Sequence, residues 1–188
     1  MRKLFYYLAV VFMLLGSCAI FPQSSEAAFA RRPVGFVVMD HTGQVDGPMY
    51  KYMRAMVKIP YRYLEYVVVE GGLPQQVVSD VLRDDVKVNQ KLMAALTEKC
   101  KVDVLVVARI YEMEQETVHG WIGRWEDNET YILTEASADF YVYKKDGDKF
   151  LKRNLREREV SEMGNAEEPS ELVCKALKRI VNDMEKGA

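Results

Sequence analysis

The chain is predicted to be a single α+β (mixed α/β) domain, with helices packed on a mixed β-sheet of about five strands in the order β-α-β-α-β-β-β-α. Three observations predict it. Val102–Tyr111 (VDVLVVARIY) is an apolar, β-branched run with no polar face, which fits a strand covered on both sides and so the middle strand of the sheet. Before it, strand-like runs alternate with helical patterns, the rhythm of parallel β-α-β units. After it, a long alternating run meets an Asp-Gly turn and a charged run, the signature of an antiparallel hairpin.

Pro33–Met39 (PVGFVVM) is read as the first strand, closed by the turn-forming Asp40-His41-Thr42-Gly43. Gly47 and Pro48 open a helix to about Lys58, with Met49, Tyr52, Met53, Met56 and Val57 forming an apolar stripe. Pro60 stops it, and Tyr63–Glu70 supplies a second strand that ends at Gly71-Gly72. Pro74 starts a helical piece to about Asp84, and a second runs from Asn89 to Cys100 with Leu92, Ala95, Leu96 and Cys100 toward the core.

Beyond the central strand, Thr130–Tyr143 alternates. Ile132, Thr134, Ala136, Ala138, Phe140 and Val142 are expected on a buried face, and Leu133 through Tyr143 at odd positions on a face that meets water. Lys144–Lys149 turns the chain, and the charged Phe150–Val160 returns as a solvated edge strand. A helix from about Pro169 to Lys186 docks on the sheet through Leu172, Val173, Ala176, Leu177, Ile180, Val181 and Met184.

The amino terminus reads as a targeting signal: Arg2 and Lys3 precede an uncharged, almost wholly apolar Leu4–Phe21, and Ala28-Phe29-Ala30 has the small-x-small form of a signal-peptidase site. Residues 1–30 are therefore expected to be a signal peptide and residues 31–188 one exported domain, in the periplasm or cell envelope. Two alternatives stand beside cleavage. Leu14–Cys18 is a loose lipobox in which Cys18 would carry lipid, and the apolar run approaches the length of an uncleaved membrane anchor. Loss of Arg2, Lys3 and Glu26 leaves a net charge near −3, which is no footprint for nucleic acid; contact with a membrane is expected only through the signal segment or a lipid anchor.

The succession VGFVVMD, helix, strand, helices, KVDVLVVARIY, ILTEASADFYVYKKDGDKFLKR and a terminal amphipathic helix resembles a group of bacterial envelope domains. That group comprises the TolB amino-terminal domain, the curli-secretion lipoprotein CsgG and the lipoprotein activators of penicillin-binding proteins. The likeness spans most of residues 33–186 and rests on element order and one strand. It implies binding of another envelope protein rather than chemistry.

Catalytic candidates are few: the chain has two histidines, His41 and His119, and no His-x-x-x-His, Cys-x-x-Cys, Gly-x-Ser-x-Gly or phosphate-cradling glycine loop. No enzyme activity and no cofactor or metal is therefore expected. Asp40, His41 and Asp46, at the carboxyl end of the first strand, are candidates for a small-molecule or cation sensor, against the plainer reading of a solvated turn. The carboxylates of Glu112, Glu114, Glu116, Glu126, Asp127 and Glu129 would suit calcium or a hydrolase pair, though acidic residues on alternate strand positions ordinarily just face water.

Cys100 and Cys174 remain after cleavage and are a candidate disulfide if their helices share a sheet face; otherwise they are two buried thiols. His119–Asn128 (HGWIGRWEDN) joins two long strands and carries both tryptophans. Trp121, Ile122, Arg124 and Trp125 are the candidate contact residues for a protein partner, or else the tryptophans fold back over the hairpin. Together these readings point to a non-enzymatic binding or structural module of the cell envelope.

Overall fold

The structure is a computed structural model that describes residues 31–61, 65–83, 86–119, 130–162 and 164–186. Residues 1–30, the expected signal segment with Cys18, and Trp121, Ile122, Arg124, Trp125, Glu126, Asp127 and Glu129 lie outside the described residues. Among the described residues no helix is long and apolar enough to cross a membrane.

Five strands form one mixed sheet: β1 (Arg32–Asp40), β2 (Tyr66–Glu70), β3 (Val104–His119), β4 (Thr130–Lys144) and β5 (Lys149–Glu162), in the spatial order β2-β1-β3-β4-β5. Strands β2 and β3 both run parallel to β1, while β4 and β5 add antiparallel. The helices are α1 (Gly47–Lys58), α2 (Gly72–Val81), α3 (Gln90–Cys100) and α4 (Pro169–Lys186). The α+β class, the element order and the central place of the Val102–Tyr111 run are as the sequence predicts.

Parallel strands need crossovers, and the two here step in opposite directions along the sheet, from β1 to β2 and then from β2 past β1 to β3. Right-handed crossovers that step in opposite directions put their helices on opposite faces. Helix α1 accordingly joins α4 over Val34, Phe36, Val104, Val106 and Ala108, while α2 and α3 cover Val37, Leu105 and Val107 from the other side. Val104 to Ile110 are buried on both faces, which is why that run is apolar at odd and even positions alike.

Local chemistry sets the ends. Asp46 caps α1 by accepting from the Met49 backbone N–H at 2.8 Å, and Asn89 caps α3 by accepting from the Leu92 N–H at 2.9 Å. The β4–β5 turn needs two left-handed residues, supplied by Gly147 at φ 80° and Asp148 at φ 48°. Asp148 is also tied down, its Oδ1 accepting from the Tyr143 hydroxyl and its carbonyl from the Gln90 side chain.

Four expectations are corrected. The odd-numbered face of β4 does not meet water along its whole length: α3 covers Tyr141 and Tyr143, because the second crossover lies on that side. Helix α3 buries Met93, Leu96, Thr97 and Cys100 and exposes Ala95, since the hydroxyl of Thr97 returns to the Met93 carbonyl and needs no water. On α1 the inward residues are Met49, Tyr50, Met53 and Val57; Tyr50 stacks on Phe36, while Tyr52, expected on the stripe, is 54% exposed. Strand β2 begins at Tyr66, after a turn residue at Glu65, and pairs only with residues 32–36 of β1; Tyr63 and Leu64 lie outside the described residues.

Candidate functional site

Strand β3 changes step at Tyr111. Up to Ile110 the even-numbered residues face the α1/α4 core, yet farther on it is Met113 that packs there. The register explains the switch: Ile110 lies opposite Ala138 and Glu112 opposite Ser137, leaving Tyr111 as the extra residue of a β-bulge. The bulge keeps Tyr111 on the side of Arg109 and Asp139, which face each other across β3 and β4.

A polar cluster is built there on the far side of the sheet from α4. Asp139 is almost fully buried and accepts from the hydroxyls of Tyr111 at 3.3 Å and Tyr141 at 3.1 Å, and from Nη2 of Arg156 at 3.0 Å. Arg109 is 2% exposed and donates from Nη2 to the Arg83 carbonyl at 3.2 Å. The guanidinium carbons of Arg109 and Arg156 each lie 5.5 Å from the centre of the Tyr111 ring, and His41 stacks on that ring at 5.5 Å. Burial raises the Tyr111 phenol above its ordinary value, and burial with the Asp139 charge pushes Tyr141 up to about 12.

These phenols stay protonated near neutrality, and Asp139 is engaged by three donors. The cluster's bonds tie strands β3, β4 and β5 to one another, with His41, just past β1, stacked on Tyr111. The cluster forms the root of an arm. Beyond it β3 is largely exposed from Glu114 to His119, and β5 is exposed from Arg156 to Val160. On the arm Glu114 stands directly opposite Glu135, a repulsive pair relieved by Arg158, whose Nε lies 2.8 Å from Glu135. Oxygens of Glu112, Glu114 and Glu135 come within 4.8 Å of one another, close enough to share a cation, although exposed carboxylates group this way without one.

The loop after β1 uses its candidate ligands internally. Asp40 Oδ1 accepts from the Thr42 N–H and hydroxyl, and Oδ2 from the Val45 N–H at 2.9 Å. Burial opposes the charge of Asp40, but the Thr42 hydroxyl and these backbone donors outweigh it and lower its pKa. Asp46 is occupied as the α1 cap, and the His41 ring lies on Tyr111. A cleft of about 500 Å³ between Val38, Asp40, Val45, Tyr50, Gly71 and Gln75 opens at the carboxyl ends of β1 and β2. There Gln75 donates to the Val38 carbonyl, so the polar groups named here are spent on the fold.

The candidate disulfide is corrected. Cys100 and Cys174 are free, buried thiols in different cores, with α3 and α4 on opposite faces of the sheet. Sequence reasoning missed Arg109, Tyr111, Asp139, Tyr141 and Arg156 as a group. The readable signals were a lone arginine in an apolar strand and the change of parity between Ile110 and Met113.

No protein-family model matches the chain, and no curated protein matches it. Among solved structures it is similar to the hypothetical protein CT253 from Chlamydia trachomatis, at 12% identity over 83% of this chain and 96% of that one, with a TM-score of 0.45. It is similar to the PelC dodecamer from Paraburkholderia phytofirmans, at 8% identity over 83% and 89%, with a TM-score of 0.42. A third is lipoprotein GNA1162 from Neisseria meningitidis, at 12% identity over 82% and 99%, with a TM-score of 0.36.

Proposed function

We propose that the chain is an exported protein of the bacterial cell envelope that binds another envelope protein through the β3–β4–β5 arm and catalyses no reaction. The observation that carries the reading is the arm itself: three paired strands continue past a tightly bonded root, β3 and β5 largely exposed and β4 between them buried or half-buried. A rigid sheet that presents a loop is the usual setting of a binding surface. The sequence between β3 and β4 has the composition of a contact site, with Trp121, Ile122, Arg124 and Trp125 in five positions. The targeting pattern at the amino terminus supports the location, and the internal use of Asp40, Asp46 and Asp139 supports a role other than chemistry.

The test replaces both tryptophans and reads binding and stability together. With a photo-crosslinking residue at Arg124, cells of the native host should yield a discrete adduct, while the same residue at Ala95 on α3 should not. Trp121→Ala/Trp125→Ala should abolish the adduct and leave the melting temperature nearly unchanged. A double variant that melts many degrees lower, or one that still forms the adduct, refutes the reading.

A further inference from the structure

The two helical layers differ in charge. The outer surface of α1 carries Lys51 and Lys58, with Arg54 half-buried between them, and α1 has no acidic residue at all. Beside it, α4 exposes Lys178, Arg179 and Lys186. The acidic residues in the second half of α4 are engaged with the sheet's cations: Asp183 pairs with Arg153 of β5 at 2.7 Å, and Glu185 with the buried Lys144 of β4 at 3.0 Å. Their charge is thereby neutralised locally, and the outer surface of the layer is left cationic in a chain whose net charge is −2. Counted by their own residues, α1 and α4 carry seven cations against the carboxylates of Glu171, Asp183 and Glu185, whereas α2 and α3 carry Lys91 and Lys99 against Asp80 and Glu98.

The same surface exposes apolar side chains. Tyr52 is 54% exposed and Ile59, at the end of α1, 36%. With the partly covered Met56 they fall at positions i, i+4 and i+7, an apolar strip beside the residues that pack on the sheet. Lysines flanking exposed tyrosine and isoleucine on a helix are the composition of an element that lies in a charged lipid interface. The chain's connectivity agrees. Because β2 is parallel to β1, α1 must return to the end of the sheet where β1 starts, so Ile59 lies at the same end as Arg32, the first residue of β1 after the targeting segment.

We infer that the outer surface of the α1/α4 layer docks on an anionic bilayer surface. Lys51, Lys58, Lys178, Arg179 and Lys186 meet the lipid phosphates, and Tyr52 and Ile59 enter the headgroup region. This surface is separate from the arm, so one copy could rest on lipid while the arm engages its protein partner.

The test uses the full chain with an environment-sensitive fluorophore on Ile59→Cys, and in a second preparation on Tyr52→Cys, both exposed positions. The native Cys100 and Cys174 thiols are buried and Cys18 is replaced by Ser. Vesicles of phosphatidylcholine alone are compared with vesicles of equal phosphatidylcholine and phosphatidylglycerol. Emission should move to shorter wavelength at both sites with phosphatidylglycerol only, and return in about 1 M salt, where the screening length falls to roughly 3 Å. Lys51→Gln and Lys58→Gln should each lower the docked-to-undocked ratio about fivefold. A fluorophore on Ala95→Cys in α3 should not respond. No shift, an equal shift with both lipids, or an equal response at Ala95 overturns the inference. So does a shift with soluble polyglutamate but not with vesicles, which would assign the surface to an acidic protein.

Discussion

The Tyr111 hydroxyl donates to Asp139 across the bulge in β3, at 3.3 Å, although Tyr111 itself has no partner in the β3–β4 register. An extra residue is thus held by a side-chain bond in place of a ladder position, at the point where the strand passes from the covered sheet into the arm.

Removing Asp139 is expected to loosen this root. Asp139→Ala leaves two largely buried phenols without their acceptor and the buried Arg109 without the carboxylate opposite it. The cost should be about 3 kcal/mol. For a domain of this size that lowers the melting temperature by roughly 6–12 °C. Arg158→Ala breaks the exposed pair with Glu135 and should cost under about 1 kcal/mol. Urea unfolding of the two variants checks the contrast, and equal losses would contradict the cluster's role.

Alkaline titration should separate the tyrosines. Burial with the Asp139 charge puts Tyr141 at about 12, and the bond to Asp148 with burial puts Tyr143 at about 12, against an ordinary value of 10.0. Both folded values are raised, so the stability they carry is complete below pH 10 and is lost as pH rises from 10 toward 12. Ultraviolet absorbance should therefore show tyrosines that ionise only above the ordinary range, and unfolding in that window should bring them back to it.

Acid should act on the turn after β1. Asp40 has a lowered folded pKa, so its contribution is complete above its ordinary value of 3.8 and is lost as pH falls below that through the folded value. Asp40→Ala should cost about 1–2 kcal/mol at neutral pH, the usual loss for a carboxylate bonded to backbone donors. The variant should also show a shallower fall in stability below pH 4, measured by urea midpoints against pH.

Both core thiols should be present and silent. Burial raises the thiol of Cys100, and burial with the nearby Glu171 pushes Cys174 up to about 11, so neither is a reactive thiolate at neutral pH. A thiol reagent should leave the native domain almost unmodified. Under denaturing, non-reducing conditions it should label both residues, and failure to label either would restore the bridge that the opposite placement of α3 and α4 excludes.

The periodicity of the chain was enough to determine most of the fold. The run at Val104–Ile110 is apolar on both faces, Arg109 apart, because both faces are covered, and the chain turns at Lys144–Lys149 because Gly147 and Asp148 supply the left-handed residues needed there. The span of α4 from Pro169 to Lys186 and its apolar face were likewise legible, since a broad helical stripe has one way to bury itself. Tertiary structure alone decided which face each helix covers. The two crossovers, β1 to β2 and β2 to β3, step in opposite directions along the sheet, which sends α1 and α3 to opposite faces, buries Tyr141 and Tyr143, and keeps Cys100 from Cys174. The cluster at the arm's root was beyond the sequence for a related reason. Arg109, Tyr111, Asp139 and Arg156 lie on three strands, and only the register of those strands, shifted by one residue at the bulge, brings their side chains to one place.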